Sequence, residues 1–523
     1  MAGKHLSLGI QDFEDFINHD FIYVDKTKYI YNLLTPPKAF YFLSRPRRFG
    51  KSLLISTLKY LFEGRSDLFR KLWIGTKSKW KFDTHPVLTF DFNGINHENP
   101  KELRNDLLSL IRSIAEQYEI SLPNNSLPLS FKTCITSIRD KYQKTVVLLI
   151  DEYDKPIITH IGKGKNELIL AKKNREILKQ FFGVIKEQSV SNALRFVLIT
   201  GVSKFSQVSI FSDLNNLNDI SMQKQFATLA GYTHSELESY FKYHIDMLYK
   251  ELKISREECL KKMLIWYNGY SFTEDLKKVY NPFSILNVLK TRVFKNYWFE
   301  TGTPSFLINL IKEKKYNSIQ IEQLALRDSA FISYDIDSLS IEPLLFQTGY
   351  ITIKGKQGRL YQLNYPNQEV KNSFIDYLYE KCIHITDSVT KNKFTLLVDC
   401  LKQCKYDDFI EIINQILSSI PYNHIANQDE SYYHTVFYLI LSASGVEVLT
   451  EVLTSRGRID IAVFFEKIMY IIELKCNHSA DKAISQIKNK KYAEKYENEG
   501  KEIKLMGINF DTKKREITDW KID

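Results

Sequence analysis

The chain has 523 residues, is 44% hydrophobic and 26% charged, and carries a net charge of +10. These are ordinary globular values that allow about three domains on a rough 150-residue prior, and the mild basic excess permits nucleic-acid binding without requiring it. A membrane span and a secretory signal are both excluded as expectations: no window holds the roughly 18 apolar residues of a span, and the first 20 residues mix charges throughout. The six cysteines form no C-x-x-C pair, so reduced thiols in a cytoplasmic protein are expected.

Residues 1–35 read as a lead-in closed by Thr35-Pro36-Pro37. Phe40–Leu43 is predicted as a strand, Lys51–Phe62 as a helix, Val87–Phe92 as a second strand and Pro100–Tyr118 as a long amphipathic helix capped by Asn99. Ser121–Ser130 reads as a polar loop. Val146–Ile150 is the third strand, Arg175–Glu187 a helix, Arg195–Thr200 the fourth strand and Phe226–Leu229 a candidate fifth. Apolar strands alternating with helices predict a parallel sheet with right-handed crossovers. Thr233-His234-Ser235-Glu236 fits a capping box, and the chain then reads as helical to about residue 300. Residues 305–425 look mixed, with a strand pair near Gly349–Leu363. The last hundred residues read as a helix, a β-hairpin and another helix. The expected division is 1–232, a helical lid over 233–304, a mainly helical connector over 305–425, and a C-terminal domain over 426–523.

Two segments carry candidate chemistry. The first is Arg45-Pro46-Arg47-Arg48-Phe49-Gly50-Lys51-Ser52, directly after the first strand. Three of the four fixed positions of the phosphate-binding loop G-x-x-x-x-G-K-[ST] fit; Arg45 stands where the first Gly belongs. In such a loop the backbone N–H groups cradle phosphates, Lys51 reaches the β/γ-phosphates and Ser52 holds Mg²⁺. The third strand ends in Asp151-Glu152, which suits Mg²⁺ binding by Asp151 and polarisation of an attacking water by Glu152. Thr200, ending the fourth strand, is a candidate sensor of the γ-phosphate, with Ser203 as competitor and plain strand capping as the alternative. Arg47 and Arg48 are candidate phosphate screens or a solvated basic loop. ATP and Mg²⁺ are the implied cofactors.

The second segment is Arg456–Lys475, two apolar runs flanking Glu466-Lys467. Counting outward from that turn puts Asp460 opposite Glu473, and Lys475 on the same face as Glu473. Two carboxylates and a lysine at a strand end suit Mg²⁺-dependent phosphodiester hydrolysis, or alternatively a surface ion-pair cluster. Glu430, opening the preceding helix, is a candidate third carboxylate ligand or a dipole-favoured helix start. His434 and Tyr492 read as packing residues.

Ser44–Leu53, Leu149–Pro156, Ile199–Phe205 with Phe211–Leu217, Tyr297–Leu307 and Leu344–Tyr350 together resemble the AAA-ATPase-like family of prokaryotic proteins. The block 456–475 resembles the PD-(D/E)XK nuclease domain at the C-terminus of that family. The resemblance implies an α/β architecture: a P-loop parallel sheet with a helical lid, a mixed middle region and a restriction-endonuclease-like C-terminal domain. It matches Asp460, Glu473 and Lys475 to the nuclease motif, and Gln486 and Tyr492 to its trailing helix; Arg45 agrees with this family's own loop form. The expectation is an ATPase fused to a Mg²⁺-dependent nuclease acting on nucleic acid, DNA first, compatible with a homo-oligomer. The alternatives are a nucleotide-switched binding protein without cleavage and an ATPase scaffold.

Overall fold

The apolar runs of the N-terminal half become strands β1 (Ala39–Ser44), β2 (Val87–Asp91), β3 (Val146–Asp151) and β4 (Leu194–Gly201) in a computed structural model. The structure describes residues 4–122, 126–204, 216–298, 307, 310, 321, 324–331, 340–383, 388–420, 430–454, 456–497 and 500–523. The motif residues 211–215 and 299–306 lie outside this set. Two units form: Met1–Tyr316 with Leu324–Glu369, and Asn317–Gln323 with Val370–Asp523. The stretch expected as one connector therefore divides between them.

In the first unit these strands and β5 (Asn218–Asp219) form a parallel sheet in the order β2-β3-β4-β1-β5. Strand β4 is inserted between the strand that enters the phosphate loop and the strand that ends in Asp151. Every residue of β3 is buried, because helices cover both faces, and such strands read as unbroken apolar runs. On one face Leu58 and Phe62, from the helix Lys51–Phe62, join Val147, Leu149 and Leu198 in a single core. On the other, Phe131 stacks on Phe181 at 4.2 Å, from the helices Leu127–Tyr142 and Lys165–Gly183.

Two expectations are corrected here. Leu127–Tyr142 is a helix whose first turn takes Pro128, so the predicted loop ends at Ser126. The fifth strand is β5 (Asn218–Asp219), paired with Tyr41 and Phe42, whereas Lys224–Phe226 is a 3₁₀ turn. The capping box at Thr233 and Glu236 forms as read. It opens four helices (His234–Tyr240, Lys242–Leu252, Arg256–Tyr267, Pro282–Thr291) that close over a core including Leu237, Ile245, Met263 and Val288. Strands β6 (Leu324–Arg327), β7 (Thr352–Gln357) and β8 (Leu360–Asn364) form a small antiparallel sheet.

In the second unit the predicted hairpin is the middle of a larger sheet. Strands β9 (Glu447–Thr454), β10 (Gly457–Phe464), β11 (Ile468–Cys476), β12 (Glu502–Asp511) and β13 (Glu516–Ile522) run in the order β13-β12-β11-β10-β9. The register counted from the sequence holds: Phe464 faces Met469 and Ile461 faces Ile472. Strands β11 and β12 are parallel, and the helix Ala480–Asn489 makes the crossover between them. Among the described residues no helix is long and apolar enough to cross a membrane.

Candidate active sites

Strand β1 delivers the chain into the loop Arg45–Gly50, where Arg48 and Gly50 take left-handed conformations (φ 67° and 91°) before the helix starts at Lys51. Lys51 is 5% exposed, and its Nζ donates to the Arg45 and Pro46 carbonyls at 3.1 and 3.2 Å. Across β4, Asp151 Oδ1 accepts from the Thr200 hydroxyl and from Glu152 N–H. Glu152 is held at φ 51°, a conformation non-glycine residues rarely adopt and that recurs at functional positions. Asp154 is buried and accepts from Ser203 N (2.7 Å), Ser203 Oγ (2.6 Å) and Val202 N (3.1 Å). Burial pulls the Lys51 ammonium below its ordinary pKa against the pull of Glu152 and Asp151, and pushes Glu152 and Asp154 up. Lys51 and Glu152 border a cavity of about 440 Å³. Its lining combines Arg47–Ser52, Asn93, Glu152 and Lys155 with apolar side chains including Ile10, Val24, Phe283 and Leu286. The volume suits one small ligand.

The second site lies on β10 and β11 just beyond their paired stretch, which runs to Ile461 and Ile472. Asp460 Oδ2 accepts from Leu474 N at 2.9 Å, which fixes the carboxylate across the hairpin. Glu473 is 1% exposed; its Oε1 accepts from Lys475 Nζ at 2.9 Å and from Gln486 Nε2, while its Oε2 has no partner. Gln486 reaches it because Glu473 sits beside Gly507 on β12, and a Cβ at Gly507 would meet the Ala480 carbonyl oxygen at 2.5 Å. The glycine thus lets the crossover helix approach. Burial, then the charge of Asp460, pushes Glu473 up to about 7, and burial raises Asp460. A buried carboxylate oxygen without a partner is costly, and a small cation relieves that cost. Asp460 and Glu473 are the residues to hold one. Among the described residues no three His, Cys, Asp or Glu side chains already stand as a metal-holding group.

Comparison with known proteins matches two stretches of the chain. Residues 7–211 match the family described as "Predicted AAA-ATPase", and residues 428–520 match the PD-(D/E)XK nuclease superfamily. A protein of Azotobacter chroococcum mcd 1, "Uncharacterized protein in vnfD 5'region", is 35% identical over 535 residues, covering 100% of this chain and 99% of its own. The chain belongs to the AAA-ATPase-like family. Its C-terminal part belongs to the PD-(D/E)XK nuclease superfamily. Two solved structures overlay weakly. The Aeropyrum pernix ORC2 protein (ADPNP-ADP complexes) has a TM-score of 0.27 and 11% identity, covering 65% of this chain and 87% of that one. Drosophila ORC bound to DNA has a TM-score of 0.23 and 7% identity, covering 88% and 85%. At these scores they add nothing to the sheet order already described.

The AAA-ATPase-like loop uses its residues unequally. Lys51, Ser52, Asp151, Glu152 and Thr200 converge on neighbouring strand ends. Arg47 and Arg48 line the cavity, with Arg48 over the Phe283 ring at 5.0 Å. Phe49 packs edge-on against Tyr270, and Pro46 is buried. Arg45 turns its guanidinium away to donate to the Ser44, Ser221 and Phe226 carbonyls, stacked 4.2 Å over Phe272. In the nuclease-like unit Glu430 is half exposed and bridges toward His434 at 3.7 Å. Tyr492 is core, as read. The sequence reading missed Asn93 and Lys155, which face the cavity, and Trp298, whose Nε1 donates to the Arg47 carbonyl. Nothing in the loop motif signals a residue some 250 positions away. It also set His434 aside.

Proposed function

We propose that this protein binds and hydrolyses ATP with Mg²⁺ in its first unit and cleaves DNA with a divalent metal in its second, nucleotide turnover controlling cleavage. The observation that carries this reading is the pairing, within one chain, of a lysine-and-carboxylate set on a phosphate loop with a second lysine-and-carboxylate set whose Glu473 oxygen is buried and unpartnered.

In the first unit the loop amides and Lys51 would hold the triphosphate, Ser52 and Asp151 would hold Mg²⁺, and Glu152 would accept the proton of the attacking water. Thr200, donating to Asp151, orients that carboxylate. Apolar side chains of the cavity lining would hold the base. In the second unit Asp460 and Glu473 would hold the metal, and Lys475 would position the attacking water beside the scissile phosphate. The metal, when bound, supplies charge neutralisation and a more acidic water. The expected divisions, with a lid over 233–304 and a nuclease domain over 426–523, are part of this proposal, as are a cytoplasmic setting and homo-oligomerisation.

The test is cleavage of plasmid and linear DNA with Mg²⁺ or Mn²⁺, with and without ATP. Glu473→Gln is expected to abolish cleavage and keep ATP hydrolysis. Lys51→Ala is expected to lose ATP binding, and Glu152→Gln to bind ATP while turning it over about 10²–10⁴-fold more slowly. Full cleavage by Glu473→Gln sinks the nuclease assignment. A second reading, a nucleotide-switched DNA-binding protein without cleavage, is favoured by one observation: Lys475 and Gln486 already satisfy Glu473 Oε1 from within the chain. ATP-dependent, salt-sensitive DNA binding without strand breaks in any metal would select it.

A further inference from the structure

Among the described residues five cations and one carboxylate line the cavity of the first unit: Lys26, Arg47, Arg48, Lys51 and Lys155 against Glu152. Four of the five already have a partner within the chain. Lys26 pairs with Glu236 at 2.7 Å and donates to the Thr228 carbonyl. Lys155 donates to Asn93 Oδ1 at 3.3 Å, and Arg48 lies over the Phe283 ring. Lys51 donates to two loop carbonyls. Arg47 is different. Its backbone is pinned, because its carbonyl accepts from Trp298 Nε1 at 3.3 Å. Its half-buried guanidinium offers five N–H donors and, among the described residues, meets no acceptor and no acid. Burial first, and then the Arg47 charge among its neighbours, weigh against the Lys51 ammonium. Two cations held at one cavity wall repel until an anion lies between them. In a phosphate loop the lysine reaches the β/γ-phosphates, so the anion this pair shares is the terminal end of the triphosphate.

We infer that Arg47 is a catalytic residue of ATP hydrolysis: its guanidinium donates to the γ-phosphate oxygens as the phosphoryl group moves to water, so this chain supplies its own transition-state arginine and needs none from a second copy. The inference rests on the reading of this cavity as an ATPase site. In the step, the bond from the γ-phosphorus to the β–γ bridging oxygen breaks and a bond to the water oxygen forms. ADP leaves with the bonding electrons, and Glu152 takes the water's proton. Negative charge shifts onto the γ-phosphate and bridging oxygens, where a planar fork of donors stabilises the transition state more than bound ATP. Arg45 of the same loop cannot serve, because its guanidinium is engaged with the Ser44, Ser221 and Phe226 carbonyls.

The experiment compares the full chain with Arg47→Ala and Arg47→Lys for ATP affinity, for turnover, and for binding of ADP with aluminium fluoride, which mimics the phosphoryl group in transfer. Arg47→Ala is expected to bind ATP within about fivefold of the wild type and to turn it over about 10³-fold more slowly, the lower end for an arginine at this transition state. Arg47→Lys keeps the charge without the fork and is expected to recover only a small part of that turnover. Aluminium fluoride is expected to tighten ADP binding in the wild type and in neither variant. Arg47→Ala is then mixed with Lys51→Ala: the first keeps a nucleotide site, the second keeps Arg47. Turnover that stays low supports an arginine acting within its own chain, whereas turnover restored by mixing overturns the inference. Wild-type turnover by Arg47→Ala also overturns it, as does loss of ATP binding in both variants, which would make Arg47 a plain anchor. These outcomes leave the ATPase reading standing; a wild type that hydrolyses no ATP removes that reading and the inference with it.

Discussion

Arg45 shows why a residue departs from a general motif. The phosphate loop ordinarily opens with Gly for a tight turn, but here the side chain ties the end of β1, Ser221 just after β5 and the turn at Phe226 together through three carbonyls. Its own carbonyl also accepts from Lys51, so loop and lysine are set by one residue. Arg45→Gly, which restores the general pattern, is expected to lose roughly 3 kcal/mol or more of stability, because it leaves buried carbonyl acceptors unpaired and vacates the space of a buried side chain. Denaturant unfolding measures this; an unchanged midpoint with tighter ATP binding would contradict it. The placement of Lys51, Asp151 and Glu152 just after the ends of strands in one sheet was legible from the spacing. The task of Arg45 was not, because its partners Ser221 and Phe226 lie about 180 residues downstream.

Elements whose apolar pattern repeats were legible; elements made by context were not. The helix Leu127–Tyr142 begins with Leu-Pro-Leu-Ser, which reads as a loop until Pro128 is seen to occupy the first turn. Strand β5 is two polar residues held by pairing with β1, and nothing local announces it. Strands β9, β12 and β13 flank a hairpin whose register alone was countable. The segment after the helix Pro282–Thr291 has the same character. Glu369, fully buried, accepts from Tyr297 N, Trp298 N and Ser284 Oγ, each at 2.7 Å, and so holds Trp298 where its indole meets the phosphate loop. Burial raises this carboxyl from its ordinary value of 4.5 to about 7. Between those values the folded chain keeps a proton that the unfolded chain releases, so stability is full at low pH and falls as pH rises through 7. Glu369→Gln preserves acceptor and polar shape without the charge. Its unfolding temperature is expected to match the wild type near pH 5 and exceed it at pH 8; parallel curves across that range would refute the assignment.

At the scale of the molecule, the proposed function would give the two units phosphate chemistry of opposite use, one on a nucleotide and one on a polymer backbone. Control of one by the other is a coupling free energy and is reciprocal: if ATP changes DNA affinity by some factor, DNA must change ATP affinity by the same factor. The doubly blocked variant Glu152→Gln with Glu473→Gln allows both affinities to be measured at equilibrium, with neither ligand consumed. Coupling of about 1–3 kcal/mol, or about 5–150-fold, is the range seen when two sites bias a shared element. The expected result is a factor of at least about five in each direction, equal within error, and lost in Lys51→Ala. A factor of one both ways would make the chain two independent modules, and ATP turnover would then have no part in setting where or when Asp460, Glu473 and Lys475 act.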